Sequence, residues 1–121
     1  MREIWAIIPD RDGYEASNFG RIRSADRWVS YANGLQRFYR GKVLQQFTLW
    51  NGYKTTHLGS KRMNNYVHHL VAKAFLGPRP EGLEVCHNNN NKNFNWLINL
   101  RYDTKLGNAD DRPVKWVRVE R

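Results

Sequence analysis

The spacing of apolar residues changes character near the middle of the chain. Up to Ser60 they fall in short clusters separated by turn residues, the mark of short strands. Trp5, Ile7 and Ile8 lead into a turn at Pro9-Asp10-Arg11-Asp12-Gly13. Tyr14 to Ser17 reads as a second extended piece. Asn18-Phe19-Gly20 reads as a tight turn into Arg21-Ile22-Arg23-Ser24, where basic and apolar residues alternate as on a half-buried strand. Asp26 to Gly41 is polar and irregular, with Asn33-Gly34 as a hairpin-turn signal. Lys42 to Leu49 predicts a strand, Asn51-Gly52 a second turn, and Tyr53 to Leu58 a further strand.

After Ser60 the period becomes helical. Val67, Leu70, Val71, Ala74 and Phe75 share one face of an amphipathic helix from about Asn64 to Leu76, which Gly77-Pro78-Arg79-Pro80 stops. Leu83 to His87 predicts a strand entering an Asn-rich loop, Asn88 to Asn95. Leu97 to Tyr102 predicts a returning strand. Thr104 can cap a short last helix to about Asp111, closed by Pro113, and Val114 to Arg121 is a basic tail. The Asn run is short and lies between two strands, so it reads as a polar loop rather than a disordered tract.

Composition narrows the partners. The chain has 121 residues, 40% of them hydrophobic, enough for one domain or two very small ones with a modest core. Lys and Arg total 20 against 11 Asp and Glu, a formal net charge of +9. Such a chain attracts polyanions, of which nucleic acid is the commonest. A membrane partner is not expected, because no long basic amphipathic helix or membrane-spanning run appears. The single cysteine, Cys86, excludes an internal disulfide and any CxxC zinc pair. With no signal-peptide core at the start, the expected place is the cytoplasm (that of a host cell, if phage-encoded).

Candidate chemistry concentrates between Glu84 and Asp111. A strand ends in His87, an Asn-rich loop follows, a second strand carries Asn99, and a short helix carries Asn108. This is a β-β-α arrangement with polar groups converging from three elements. Phosphodiester hydrolysis needs a base to activate water and a cation to neutralise phosphate charge. A neutral histidine suits the first role and an Asn oxygen suits a hard divalent ion. A histidine at a strand end, taken alone, is more often structural than catalytic, and Asn runs ordinarily make turns.

Several separate blocks together resemble the HNH endonucleases of bacteriophages, including homing enzymes. These blocks are Val67-His68-His69-Leu70-Val71-Ala72-Lys73-Ala74-Phe75, Cys86-His87, Asn91-Lys92 with Asn95, Asn99-Leu100-Arg101-Tyr102-Asp103-Thr104, and Asn108. The first half resembles the small β-rich module that often precedes such domains, through Trp5, Ile8-Pro9, Tyr14, Ser17-Asn18, Gly20-Arg21 and Ile22-Arg23-Ser24. The two likenesses cover residues 3 to about 111. They imply an α+β protein: a small antiparallel β module, then a helix and a ββα-metal (His-Me finger) HNH motif. The expected divisions are 1–60 for DNA binding, 61–112 for the nuclease, and 113–121 for the tail.

The resemblance also implies roles. His87 would be the general base. Asn99 would be the central Asn, bracing the loop and the histidine. Asn108 and residue 86 would be the protein ligands of one divalent ion, Mg²⁺ or Mn²⁺, with Zn²⁺ as the softer alternative. Cys86 departs from the carboxylate of homing-type members. Its thiolate suits Mg²⁺ poorly, so it reads either as a ligand to a softer ion or as a small buried apolar residue. His68 and His69 sit on adjacent helix positions and face different ways, and packing or hydrogen bonding, ahead of metal binding, is the reading for His68. His57 reads as a surface residue. Phe94 and Trp96 read as core, with DNA contact as the other option.

The expected partner is double-stranded DNA, bound by a monomer or homodimer. Arg21, Arg23, Arg27, Arg40, Lys42 and Lys54 are the candidate phosphate contacts of the first half, set among Trp28, Phe38 and Tyr39, with Arg37, Lys61 and Arg62 nearby. Arg101 is the candidate contact beside the site. The expected activity is metal-dependent DNA cleavage, as a nickase or a double-strand cutter. Two other readings stand beside it: a DNA-binding module with a degenerate HNH site, and an RNA-binding protein. About ten residues follow the HNH part, too few for a helix-turn-helix, which predicts lower sequence specificity in a monomer, or specificity gained by dimerisation.

Overall fold

The computed structural model describes residues 1–59 and 65–104. The expected helix after Thr104, Asn108 on it, Lys61, Arg62 and the tail lie outside the described residues.

The first sheet follows the predicted pattern closely. Strands β1 (Trp5–Ile7), β2 (Tyr14–Ser17) and β3 (Ile22–Ser24) pair antiparallel in chain order. Their registers put Ala6 opposite Ala16 and Ala16 opposite Ile22. One face buries Ala16 and Ile22 completely. Ser17 binds the turn that joins β2 to β3: its Oγ accepts from the amides of Phe19 and Arg21, both at 3.1 Å.

The segment from Asp26 to Gly41 is an ordered hairpin, β4 (Arg27–Ser30) with β5 (Gln36–Tyr39), rather than irregular chain. Its sequence lacks in/out alternation because most of its residues are exposed. The hairpin is held by its turn instead. Gly34 takes φ 85°, and Leu35 N donates to Asn33 Oδ1 at 3.0 Å. The strand expected over Lys42 to Leu49 is shorter than predicted. Val43 makes a single bridge to Arg23, and only β6 (Phe47–Thr48) is a strand. It pairs with β7 (Lys54–Thr56), which pairs with β8 (Asn65–Tyr66).

Helix α1 (Val67–Leu76) begins nearly a turn later than about Asn64, because Asn65 and Tyr66 are taken up as the edge strand beside Thr55 and Thr56. Gly77 ends it at φ 83°, a left-handed conformation that glycine adopts without strain. Strands β9 (Glu84–His87) and β10 (Leu100–Asp103) form the last hairpin. The returning strand was expected from Leu97, but Leu97–Asn99 is a 3₁₀ turn. Its amides are used elsewhere: Leu97 N donates to Asn18 O at 2.9 Å and Asn99 N to Trp96 O at 2.8 Å. No helix among the described residues is long and apolar enough to cross a membrane.

One hydrophobic core joins the two halves of the chain. Ala16 and Ile22 from the first sheet, with Ile8 just after β1, pack with Val67, Leu70 and Val71 of α1, and Val85 and Leu100 of the last hairpin complete it. Ile22 is fully buried, so Ile22→Ala is expected to cost about 2–5 kcal/mol. Because the core is shared, urea unfolding followed by tryptophan fluorescence and by helical circular dichroism should shift to the same lower midpoint in that variant. Two separate midpoints would show that the halves fold independently.

Candidate functional site

The last hairpin delivers His87 to the end of β9, where the side chain is buried with 5% exposure. His87 Nε2 lies 2.7 Å from Asn95 Oδ1. An amide oxygen only accepts, so Nε2 carries the proton and donates, and the neutral ring keeps its lone pair on Nδ1. Burial is the largest influence on this imidazole and lowers its pKa. The hydrogen bond to Asn95 opposes that shift, and Lys92 adds to it. The neutral, proton-accepting form is therefore the one present near pH 7.

An aromatic wall backs His87. Its ring centroid is 4.9 Å from that of His68, which in turn stacks on Tyr53 at 4.9 Å. Tyr66 and His69 continue the cluster. His68 is deeply buried, and its Nδ1 has no hydrogen-bond partner among the described residues. Burial, then the neighbouring His69 and His87, push its pKa down to about 2. It is a neutral ring packed among Tyr53, Tyr66, His69 and His87. His69 is also lowered, by burial first and by Arg79 next.

Asn99 ties the Asn-rich loop together. Its Nδ2 donates to Asn89 Oδ1 at 2.9 Å and to Phe94 O at 2.8 Å, and its Oδ1 accepts from Asn89 N at 3.1 Å. The backbone carbonyl of Asn99 accepts from Asn88 N at 2.7 Å. One buried amide thus closes both ends of the loop that begins at His87. Asn90 takes φ 60°, a left-handed turn position that asparagine tolerates. Arg101 donates to Asn88 Oδ1 at 2.6 Å and to Asp103 Oδ2 at 3.1 Å, so the guanidinium sits at the loop's outer edge.

Cys86 is paired in register with Arg101, and 1% of it is exposed. Its thiol faces the carbonyl of Glu84 at 3.6 Å. The other candidate basic residues form separate groups. Arg21 pairs with Glu3 and Arg23 with Glu15, and both guanidiniums lie over the ring of Trp5. Arg27 lies over Tyr39 on the exposed hairpin. Arg40 and Lys42 follow it at the surface, both exposed, and Lys54 is half-buried in β7.

The structure also adds Tyr53, Lys92 and Asn95 to the neighbourhood of His87. Lys92 donates to Asn51 O at 3.0 Å and lies over the Tyr53 ring. Asn95 belongs to the sequence motif, but its hydrogen bond to His87 is a tertiary fact. Tyr53 comes from the turn just before β7, and the sequence marked it only as the start of a strand after the Asn51-Gly52 turn.

Comparison with known proteins gives two family matches. Residues 65–110 match the family model described as HNH endonuclease, and residues 3–59 match the one described as the NUMOD4 motif. The two matches lie side by side and together take in most of the chain. Its fold is similar to the structure described as "DNA binding and cleavage by the HNH homing endonuclease I-HmuI", with a TM-score of 0.67 and 30% identity. The match covers 89% of this chain and 56% of that one, so this chain spans little more than half its length. No curated protein sequence matches it.

HNH endonucleases generally use a divalent ion, so the donor set of the residues that match that family matters. Among the described residues, no three His, Cys, Asp or Glu side chains converge on an ion site. Cys86 alone offers a soft, buried sulfur that suits a hard ion poorly. The described donors do not by themselves fit Mg²⁺, and the chemistry of the site is derived from His87.

Proposed function

We propose that the protein is a DNA endonuclease in which His87 is the general base. The observation that carries this reading is the neutral His87 ring, fixed by Asn95 with Nδ1 left as acceptor, at the mouth of a loop closed by Asn99. Water attacks the phosphorus and gives a proton to His87 Nδ1. The bond to the 3′ oxygen breaks, and that oxygen takes a proton from solvent. The products are a 5′ phosphate and a 3′ hydroxyl. Asn99 keeps the loop in place, and Arg101 contacts a phosphate oxygen after exchanging its bond to Asn88. In this reading residues 61–112 cut and residues 1–60 grip the duplex, with the last residues, 113–121, as a basic tail.

The reading carries with it a divalent ion, Mg²⁺, Mn²⁺ or Zn²⁺, held by Asn108 and by Cys86 if the thiolate ligates. A plasmid-nicking assay with each ion and with EDTA tests both claims. Cleavage that needs an ion and disappears with His87→Ala is the expected result. Supercoiled DNA that survives under every ion leaves a DNA-binding module, and tighter binding to single-stranded RNA than to duplex would sink the DNA assignment.

Duplex binding rests on the first half. The β4–β5 hairpin presents Trp28 and Phe38 on one face, 5.3 Å apart and 67% and 46% exposed. Arg27 and Arg37 lie on the other face, with Arg40 and Lys42 following in the chain. A two-stranded ribbon of this kind fits a DNA groove. Arg27→Ala with Arg40→Ala is expected to lower the slope of log affinity against log salt by about 0.9 for each phosphate that is no longer neutralised. Arg21 and Arg23, already paired to Glu3 and Glu15, should each change it less. Titrations of a labelled duplex across a range of salt concentrations check this ordering.

A further inference from the structure

Asn95 is 4% exposed and contacts both His87 and the NUMOD4 motif. We propose that Asn95 is a positioning residue that fixes the tautomer of His87, and that the turn at 17–20 of the NUMOD4 motif is the seat that holds Asn95. The claim rests on the base role given to His87. It adds that the catalytic centre is incomplete without the N-terminal motif.

Three successive residues, from the last of the Asn-rich loop onward, each meet that turn. The backbone of Asn95 presses on Gly20: a Cβ there would lie 2.9 Å from Asn95 O and 3.0 Å from its carbonyl carbon. Trp96 stacks on Phe19 with ring centroids 4.2 Å apart and planes 19° from parallel. Leu97 N donates to Asn18 O at 2.9 Å. Gly20 also takes φ 79°, so the position excludes a side chain on two counts.

The turn is itself anchored. Asn18 accepts from Ile4 N at 2.7 Å through Oδ1 and donates to Arg2 O at 3.0 Å through Nδ2. Gln46 Nε2 donates to Gly20 O at 2.9 Å. A buried amide held on its backbone side has little freedom to swing. Its oxygen therefore presents one fixed acceptor to His87 Nε2, and a base whose lone pair points the wrong way does not serve catalysis.

Asn95 could instead be only a satisfied buried amide, and the test separates the two. The full chain is labelled with ¹⁵N-histidine and read at pH 8 by long-range ¹H–¹⁵N correlation, where the ring is neutral. The wild type should show His87 protonated at Nε2. Asn95→Asp keeps the acceptor and should keep that pattern. Asn95→Leu should shift His87 toward a mixture of tautomers, and Gly20→Ala should do the same from within the other motif. Plasmid cleavage should fall about a hundredfold in Asn95→Leu and recover in Asn95→Asp. An unchanged Nε2–H pattern in Asn95→Leu would overturn the proposal. If that variant does not fold, Asn95→Ala is read by the same criterion. The expected tautomer pattern in a wild type that cuts no DNA would uphold the positioning and refute the nuclease.

Discussion

His87→Ala is expected to lower plasmid cleavage by about 10²–10⁴-fold while leaving duplex binding within a few-fold of wild type. The size follows from what a positioned base contributes to proton removal in the transition state. The sparing of binding follows from where the cations lie: Arg27, Arg40 and Lys42 belong to the surface of the first half and owe nothing to this imidazole. The substitution also leaves Asn95 Oδ1 without its partner and opens space beside His68. Some loss of stability is therefore expected, and cleavage is compared at a temperature where both proteins are folded. Free imidazole offers a second readout. A small base that enters the vacated space should restore part of the cleavage, which a fold defect would not allow. Undiminished cleavage by His87→Ala would remove the base from the mechanism.

The sequence made some parts of this site plain and hid others, for physical reasons. The helix was legible because its buried face writes a helical period into the residues, and β2 and β9 because turn residues bound them. The β4–β5 hairpin was not, because both faces meet solvent and only Asn33-Gly34 marked it. Leu97 looked like the start of a strand because it is apolar. Its amide is committed to Asn18, a contact from a distant turn that no local pattern encodes. His87 and Asn99 stood out through motif spacing. The link from Asn95 to His87 needed the loop's actual path, as did the contact of Gly20 with Asn95. Gly20 was read as a turn residue, which it is; its second use, admitting another backbone to within contact distance, leaves the same single letter.

His68 makes a separate prediction about stability and pH. The folded protein holds this ring neutral down to about pH 2, while an unfolded histidine takes up a proton near its ordinary value of 6.5. Between those values the unfolded state binds one proton more than the native state, so stability rises with pH there. It is fully present above about pH 6.5 and declines as the pH falls below it. One such group costs about 1.4 kcal/mol at pH 5.5 and about 2.7 kcal/mol at pH 4.5, relative to pH 8. Against a typical small-domain stability of about 5–15 kcal/mol, that is a large share. His69 and His87 are shifted in the same direction and steepen the fall. The position explains the size. His68 is the second residue of α1, where the helix dipole also opposes a positive charge, and its Nδ1 has no partner among the described residues to share a proton with. His68→Phe keeps an aromatic ring against Tyr53 and removes the titrating group. Urea unfolding between pH 8 and pH 4.5 should show a shallower decline in that variant, by up to about 1.4 kcal/mol per pH unit. It should also show equal or greater stability at pH 8, because a buried nitrogen without a partner costs about 1–3 kcal/mol and phenylalanine has none. If the two proteins lose stability in parallel as the pH falls, the proton is taken up elsewhere and His68 is not the group responsible.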